Sequence, residues 1–232
     1  MKPRKHLARS EWQVSSVTSY KIKGIIFDMD NTLLRSSIDF GRMRNEIYAY
    51  LADHNMLEQD IKLEEHTSST LIQYAQRRGS WNPQAEADVW DIAAKHELLG
   101  MENAGLEPGA KDLLRQLFGR YKMVIVTNNA YSAAITALTR NDIVDCFDLI
   151  IGREQMKRMK PAPDAVYPVL RAYPTISPDE WISVGDAWID GRASQDAGIK
   201  FVSYRGDPEK MKSRGVVPAG SIQELGQLLA LL

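Results

Sequence analysis

The chain has 232 residues, with 29 lysines and arginines against 30 aspartates and glutamates, and a net charge of -1 that offers no basic stripe for nucleic acid. Its 44% hydrophobic and 25% charged fractions are those of an ordinary globular protein, and no uninterrupted apolar stretch reaches membrane-spanning length. The single cysteine, Cys146, rules out an internal disulfide and suits a reducing compartment, so a cytoplasmic location is expected.

Residues 1–20 carry Lys2, Arg4, Lys5 and Arg9 but lack the apolar run of a signal peptide; they read as a tail. The first strand signal is Ile25-Ile26-Phe27, bounded by Gly24 and by two aspartates, Asp28 and Asp30. A run apolar on both faces suits a buried strand of a parallel sheet. Phe40, Met43, Ile47, Tyr50 and Leu51 then recur at helical spacing. A second helix is predicted from about Leu63 to Arg78 and a third from Pro83 through Leu99. No strand signal interrupts residues 38–105, which read as an all-helical insertion.

From Leu106 the pattern alternates. A helix through Leu113, Leu114, Leu117 and Phe118 precedes the strand Met123–Val126, and an alanine-rich helix spans about 130–139. A strand at 148–152, a helix at 164–171, a strand at 181–186, a helix at 189–197 and a strand at 199–203 follow. Residues 206–220 read as loop. Ser221-Ile222-Gln223-Glu224 has the capping-box pattern that starts a final leucine-rich helix. Strands alternating with helices predict a doubly wound, Rossmann-like parallel sheet, giving an α/β fold with a helical insertion.

Three polar clusters follow three of the predicted strands: Asp28 with Asp30, Thr127 with Asn128, and Asp186 with Asp190. In open α/β sheets the carboxyl ends of the strands share one rim, so these groups can converge there. Lys160-Pro161-Ala162-Pro163-Asp164 lies just after the strand that ends near Gly152. Two carboxylates as close as Asp28 and Asp30 require a cation or a shared proton.

Four segments, Phe27-Asp28-Met29-Asp30-Asn31-Thr32-Leu33, Val126-Thr127-Asn128-Asn129, Met159-Lys160-Pro161-Ala162-Pro163-Asp164 and Gly185-Asp186-Ala187-Trp188-Ile189-Asp190, resemble the motifs of the haloacid dehalogenase-like hydrolase superfamily. The order of motifs is most similar to the helical-cap branch that holds phosphoglycolate phosphatase-like enzymes. The resemblance implies a catalytic core of residues 21–36 and 106–232 and a cap of residues 37–105, hinged near Ser36-Ser37 and Ala104-Gly105. It implies a Mg²⁺-dependent phosphatase acting on a small phosphorylated metabolite, as a monomer or homodimer. Asp28 would be the nucleophile and Asp30 the general acid and base. Thr127 and the amide of Asn128 would hold phosphoryl oxygens, and Lys160 would neutralise charge. Asp28, Asp186 and the Asp30 carbonyl would bind Mg²⁺, with Asp190 supporting that shell or bound through water.

Two positions depart from the family pattern. Asn31 stands where glycine is commoner, and Arg35 where an acidic residue is common. Arg35 would either meet an anionic group on the substrate or pair with a cap carboxylate, and the pairing is the favoured reading. Trp188 would line the cleft or pack beneath the cap. His54, His66 and His96 lack metal-ligand spacing and read as surface or partly packed residues. The acid at Asp30 argues against dehalogenation. A sugar-phosphate mutase, a phosphonate hydrolase using Lys62 or Lys95, and a catalytically silent binding protein are the alternatives.

Overall fold

A computed structural model describes residues 21–58 and 60–232. The tail read at residues 1–20 lies outside the described residues. In chain order, β1 (Gly24–Phe27) and a two-residue strand β2 (Leu34–Arg35) precede helices α1 (Phe40–Asp53), α2 (Ser68–Gln76) and α3 (Pro83–Met101). Next come β3 (Gly105–Leu106), α4 (Ala110–Leu117), β4 (Lys122–Val126), α5 (Tyr131–Arg140) and β5 (Leu149–Ile151). They are followed by α6 (Tyr167–Ala172), β6 (Trp181–Gly185), α7 (Trp188–Asp196), β7 (Lys200–Tyr204), α8 (Pro208–Ser213) and β8 (Gly220–Ile222).

Six of the strands form one parallel sheet in the order β5-β4-β1-β6-β7-β8. Side chains alternate along a strand, and the two faces separate accordingly. Ile25, Phe27, Met123 and Ile125 join one apolar cluster, whereas Ile26, Val124, Val126 and Trp181 join another. Helix α4 packs on the first face through Leu113, Leu114 and Leu117, and α6 and α7 on the second through Val169 and Ala193. Both faces are therefore covered, as a parallel sheet requires. Strand β1 lies between β4 and β6, with Phe27 level with both Ile125 and Val184. That register brings the residues just beyond these strands to one rim.

Helices α1 to α3 lie between β2 and β3, which pair antiparallel through Leu34 with Leu106 and Arg35 with Gly105. The chain thus leaves and re-enters the sheet side by side. Each helix start has a local cause. Asp39 accepts from the Arg42 amide at 2.8 Å, Thr67 and Thr70 form a reciprocal capping box, and Asn82 accepts from the Ala85 amide ahead of Pro83. Met43, Ile47 and Leu51 form the buried stripe of α1.

Three expectations are corrected. Residues 206–220, read as loop, hold helix α8 at Pro208–Ser213, whose first amides are capped by Asp207, and lead into β8 at Gly220. The second helix is not continuous from Leu63: a 3-10 turn at Leu63–Glu65 ends before Thr67, whose side chain caps a new helix. Ser221 does not cap the last helix. It pairs with Ser203 in β8, an additional edge strand, and the 3-10 segment Leu225–Leu231 begins after Glu224, whose amide bonds to Gln227. Sheet pairing across sequence outweighs a local capping preference. No helix among the described residues is long and apolar enough to cross a membrane.

Candidate active site

Strand β1 ends at Phe27, and the Asp28 amide still bonds to the Val184 carbonyl at 2.9 Å, so Asp28 leaves the sheet at a fixed point. The chain then turns sharply: the amides of Leu33 and Leu34 both reach back to the Met29 carbonyl, at 3.0 and 2.9 Å. This turn needs a left-handed residue at position 31, where φ is +55°, and asparagine tolerates that conformation better than most non-glycine residues. Asp30 is buried beside the turn, with Oδ2 accepting from Asn129 Nδ2 at 2.7 Å. Its Oδ1 is buried without a well-formed bond, although the Ser36 hydroxyl lies close enough to oppose the carboxyl's upward shift.

Lys160 joins the motifs. Its Nζ donates to Asp28 Oδ1 and Asp190 Oδ1, each at 2.6 Å, and to the Val126 carbonyl at 2.7 Å, using all three of its protons. Asn128 holds the lysine's backbone from both sides, donating to the Lys160 carbonyl and accepting from its amide, both at 2.9 Å. Asp190 is held in turn by the Ala187 amide at 3.0 Å, and it sits so close to Gly185 that a Cβ there would come within 2.6 Å of its side chain. Thr127 is buried on the same rim, its hydroxyl accepting from the Asn129 amide at 3.2 Å.

Oxygens of Asp28, Asp186 and Asp190 lie within 4.8 Å of one another, an arrangement able to hold a divalent cation. Burial raises Asp28 to about 6, against the pull of Lys160 and with a further push from Asp190. Burial and then the Asp28 charge raise Asp30 to about 7. Asp186 rises to about 8, from burial first and then from Asp28 and Asp190. Burial alone would discharge Lys160, but Asp190 and Asp28 outweigh it and hold the ammonium above its usual value. One lysine thus faces more carboxylate charge than it neutralises. Both oxygens of Asp190 are already engaged, so Asp28 and Asp186 have the better-placed free oxygens for a cation. This all-oxygen donor set fits a hard ion such as Mg²⁺.

The raised carboxyls set a sign for stability. An unfolded aspartate loses its proton near pH 4. The metal-free native state keeps protons on Asp28, Asp30 and Asp186 up to about 6, 7 and 8, so stability falls as pH rises through this interval. In chelator, the Tm of Asp186→Asn should exceed that of the wild type by about 5 °C or more at pH 8.5, and the difference should shrink at pH 5.5. Equal melting curves at both pH values would show that the cluster is not charge-strained.

These groups open onto a cavity of about 330 Å³ between the rim and helices α1 to α3. Asp28, Asp30, Thr127, Asn128, Lys160, Asp186 and Asp190 all line it. Arg35 is not among the lining residues. Its side chain is mostly exposed and directed at Glu107, 4.0 Å away, because β2 turns it away from the rim. Trp188 lies outside the cavity too, packed on the Phe201 cluster and under Arg214. His66 lines the cavity, while buried His96 sits 3.1 Å from Glu46. A larger depression of about 490 Å³ opens at the other end of β1 and β4, but its Lys122 and Asp148 are paired with each other.

The motifs give no role to Asn129, although it stands in one of them, nor to Glu97, Arg153 and Gln73. Glu97 on α3 and Arg153 after β5 form a buried two-pronged ion pair at 2.6 and 3.2 Å, and Gln73 of α2 donates to the Met159 carbonyl at 2.6 Å. Both contacts tie the inserted helices to the rim. Their partners are 56 and 86 residues apart, and no local pattern signals either.

The doubly wound sheet, the aspartate pair after its central strand and the lysine bridging two carboxylates form a single site in an α/β protein. Residues 25–204 match the model of the haloacid dehalogenase-like hydrolase family, and the chain belongs to that family. It is 27% identical over 189 residues to a phosphoglycolate phosphatase of Rhodobacter capsulatus, covering 78% of this chain and 83% of that one. It is 25% identical to a haloacid dehalogenase-like hydrolase domain-containing protein of Arabidopsis thaliana, covering 91% of this chain and 84% of the relative. Among solved structures, the HAD-hydrolase YfnB of Bacillus subtilis, bound to magnesium, shares the fold with a TM-score of 0.62 at 21% identity, covering 91% of this chain and 99% of that one. A HAD-superfamily hydrolase of Geobacter sulfurreducens gives 0.59 at 20% identity, covering 94% and 100%.

Proposed function

We propose that this protein is a Mg²⁺-dependent phosphatase that hydrolyses a small-molecule phosphomonoester through an aspartyl-phosphate on Asp28. The observation that carries the reading is the pairing of Asp28 with Lys160 on a rim where Asp30, two residues on, titrates near neutrality. An Asp28 oxygen attacks phosphorus, and the ester oxygen departs with the proton of Asp30. Asp30, now a carboxylate, takes a proton from the water that attacks the acyl-phosphate phosphorus, which releases phosphate and restores both residues. Lys160 offsets charge on the nucleophile and the phosphoryl group, and Thr127 with the Asn128 amide orients phosphoryl oxygens. Asp28, Asp186 and the Asp30 carbonyl would hold Mg²⁺, with Asp190 supporting them. When bound, the ion would supply positive charge that offsets the charge of the phosphoryl group. The magnesium bound to YfnB supports the choice of ion.

Helices α1 to α3 are assigned as the cap of residues 37–105 on a core of 21–36 and 106–232. The β2–β3 pair supports this division by carrying both crossings. A phosphonate hydrolase needs a cap lysine in the cleft, but Lys62 and Lys95 are exposed, face Glu65 and Glu46, and do not line the cavity. The phosphoglycolate phosphatase of Rhodobacter capsulatus supports a phosphatase acting on a phosphorylated metabolite such as phosphoglycolate.

Hydrolysis of an aryl phosphate should require Mg²⁺ and stop with chelator. Turnover that survives chelation would overturn the metal requirement. The acid role of Asp30 has its own signature. Asp30→Asn should slow an alkyl phosphate, whose leaving oxygen needs a proton, by about 10³-fold or more, and an activated aryl phosphate by a smaller factor. Equal losses on both esters would remove Asp30 as leaving-group acid.

A further inference from the structure

The cavity holds two arginines in opposite electrostatic states. Arg153 is neutralised by the two-pronged pair with Glu97. Arg44, on α1, has no carboxylate within pairing distance among the described residues. Its Nη1 donates to the His66 carbonyl at 3.2 Å, and its Nε is buried without an acceptor. A guanidinium always carries its charge, and a donor buried without a partner is costly unless something occupies the site. The bond to His66 holds the guanidinium beside the start of α2, where Ser68 and Ser69 also line the cavity. The Thr70 amide is capped by Thr67, which leaves the first-turn amides of Ser68 and Ser69 without an intrahelical acceptor, and the positive end of the helix dipole favours an anion.

This corner lies close to the chemistry. Gln73, one helical turn beyond Ser69, is the residue that bonds to the Met159 carbonyl, next to Lys160. Met43, Ile47 and Ile72 supply apolar surface to the same cavity. The phosphoryl group is already served by Lys160 and Thr127, so Arg44 is left to meet something else on the substrate.

Resting on the phosphatase reading above, we propose that the substrate carries a second anionic group, a carboxylate or a second phosphate, held by Arg44 at the amino end of α2. The role weighed for Arg35 from the sequence thus falls to Arg44. The other cavity cation without a carboxylate partner among the described residues, Lys210, is exposed at the rim and lacks such a frame.

The test compares 2-phosphoglycolate, ethylene glycol bisphosphate and ethyl phosphate with Mg²⁺. The wild type should favour at least one of the two doubly anionic esters over ethyl phosphate by about 10- to 100-fold in kcat/KM, the usual worth of a charge-assisted contact. The preferred ester distinguishes carboxylate from phosphate. Arg44→Met should collapse that ratio to within about threefold of unity, mainly through KM, and Arg44→Lys should restore part of it. Melting curves check that both variants fold. A wild type without preference, or an Arg44→Met that slows all three esters equally, overturns the proposal. No hydrolysis of any ester, aryl phosphate included, instead counts against the phosphatase reading. Calorimetric titration of the three esters into wild type and Arg44→Met then decides the Arg44 site without turnover, by the presence or absence of the same preference in affinity.

Discussion

Asp28→Asn is expected to lower turnover by about 10⁴-fold or more while leaving the fold intact, because the substitution is nearly isosteric and removes the attacking oxyanion. The amide still reaches Val184 and the side chain can still accept from Lys160, so the rim keeps its shape. The metal-free variant should melt no lower than the wild type at pH 8, since one of the mutually repelling carboxylates has gone. Circular dichroism and a phosphate-release assay on the same preparation check both halves. A folded variant that retains turnover would move the nucleophile elsewhere.

Lys160→Met has the second-largest expected effect, and it acts on stability as well as rate. The lysine is buried, all of its donors are used, and its removal leaves Asp28, Asp190 and the Val126 carbonyl without their partner. Breaking a buried ion pair by deleting one member costs about 3–5 kcal/mol. The abandoned carboxylates can take up protons at low pH, so the loss should be greater at pH 8 than at pH 5.5. Turnover should fall at least about 100-fold, as when a preorganised charge facing the transition state is lost. Denaturant melts at the two pH values, read beside the rate, separate the contributions. A variant as stable as the wild type at pH 8 would mean that Lys160 does not neutralise the cluster.

Much of the sheet was legible because its strands are short apolar runs with clear ends. Ile25 to Phe27 and Met123 to Val126 are buried on both faces, and the polar residues that end them fall on the rim. Alternation of strand and helix determined the winding, and motif order brought Asp28, Thr127, Lys160 and Asp186 to one place. Strand β8 was not legible, because Gly220–Ile222 is too short to show periodicity and is formed by pairing with β7. The contacts between the inserted helices and the rim were hidden for a similar reason. Glu97 and Arg44 are ordinary charged residues on amphipathic helices, and only the fold reveals that one meets Arg153 and the other meets no carboxylate among the described residues. For Arg35, proximity in sequence to Asp30 says nothing of direction. The antiparallel pairing of β2 with β3 turns its side chain toward Glu107.

Chemical trapping of the intermediate tests the aspartyl-phosphate on Asp28 itself. The enzyme is quenched during turnover of a phosphomonoester with Mg²⁺ and reduced with borohydride, which converts an aspartyl-phosphate to homoserine. Homoserine is expected at position 28 alone, dependent on substrate and absent from Asp28→Asn. Turnover with Asp28 unmodified under the same quench, or homoserine at another aspartate, would contradict it.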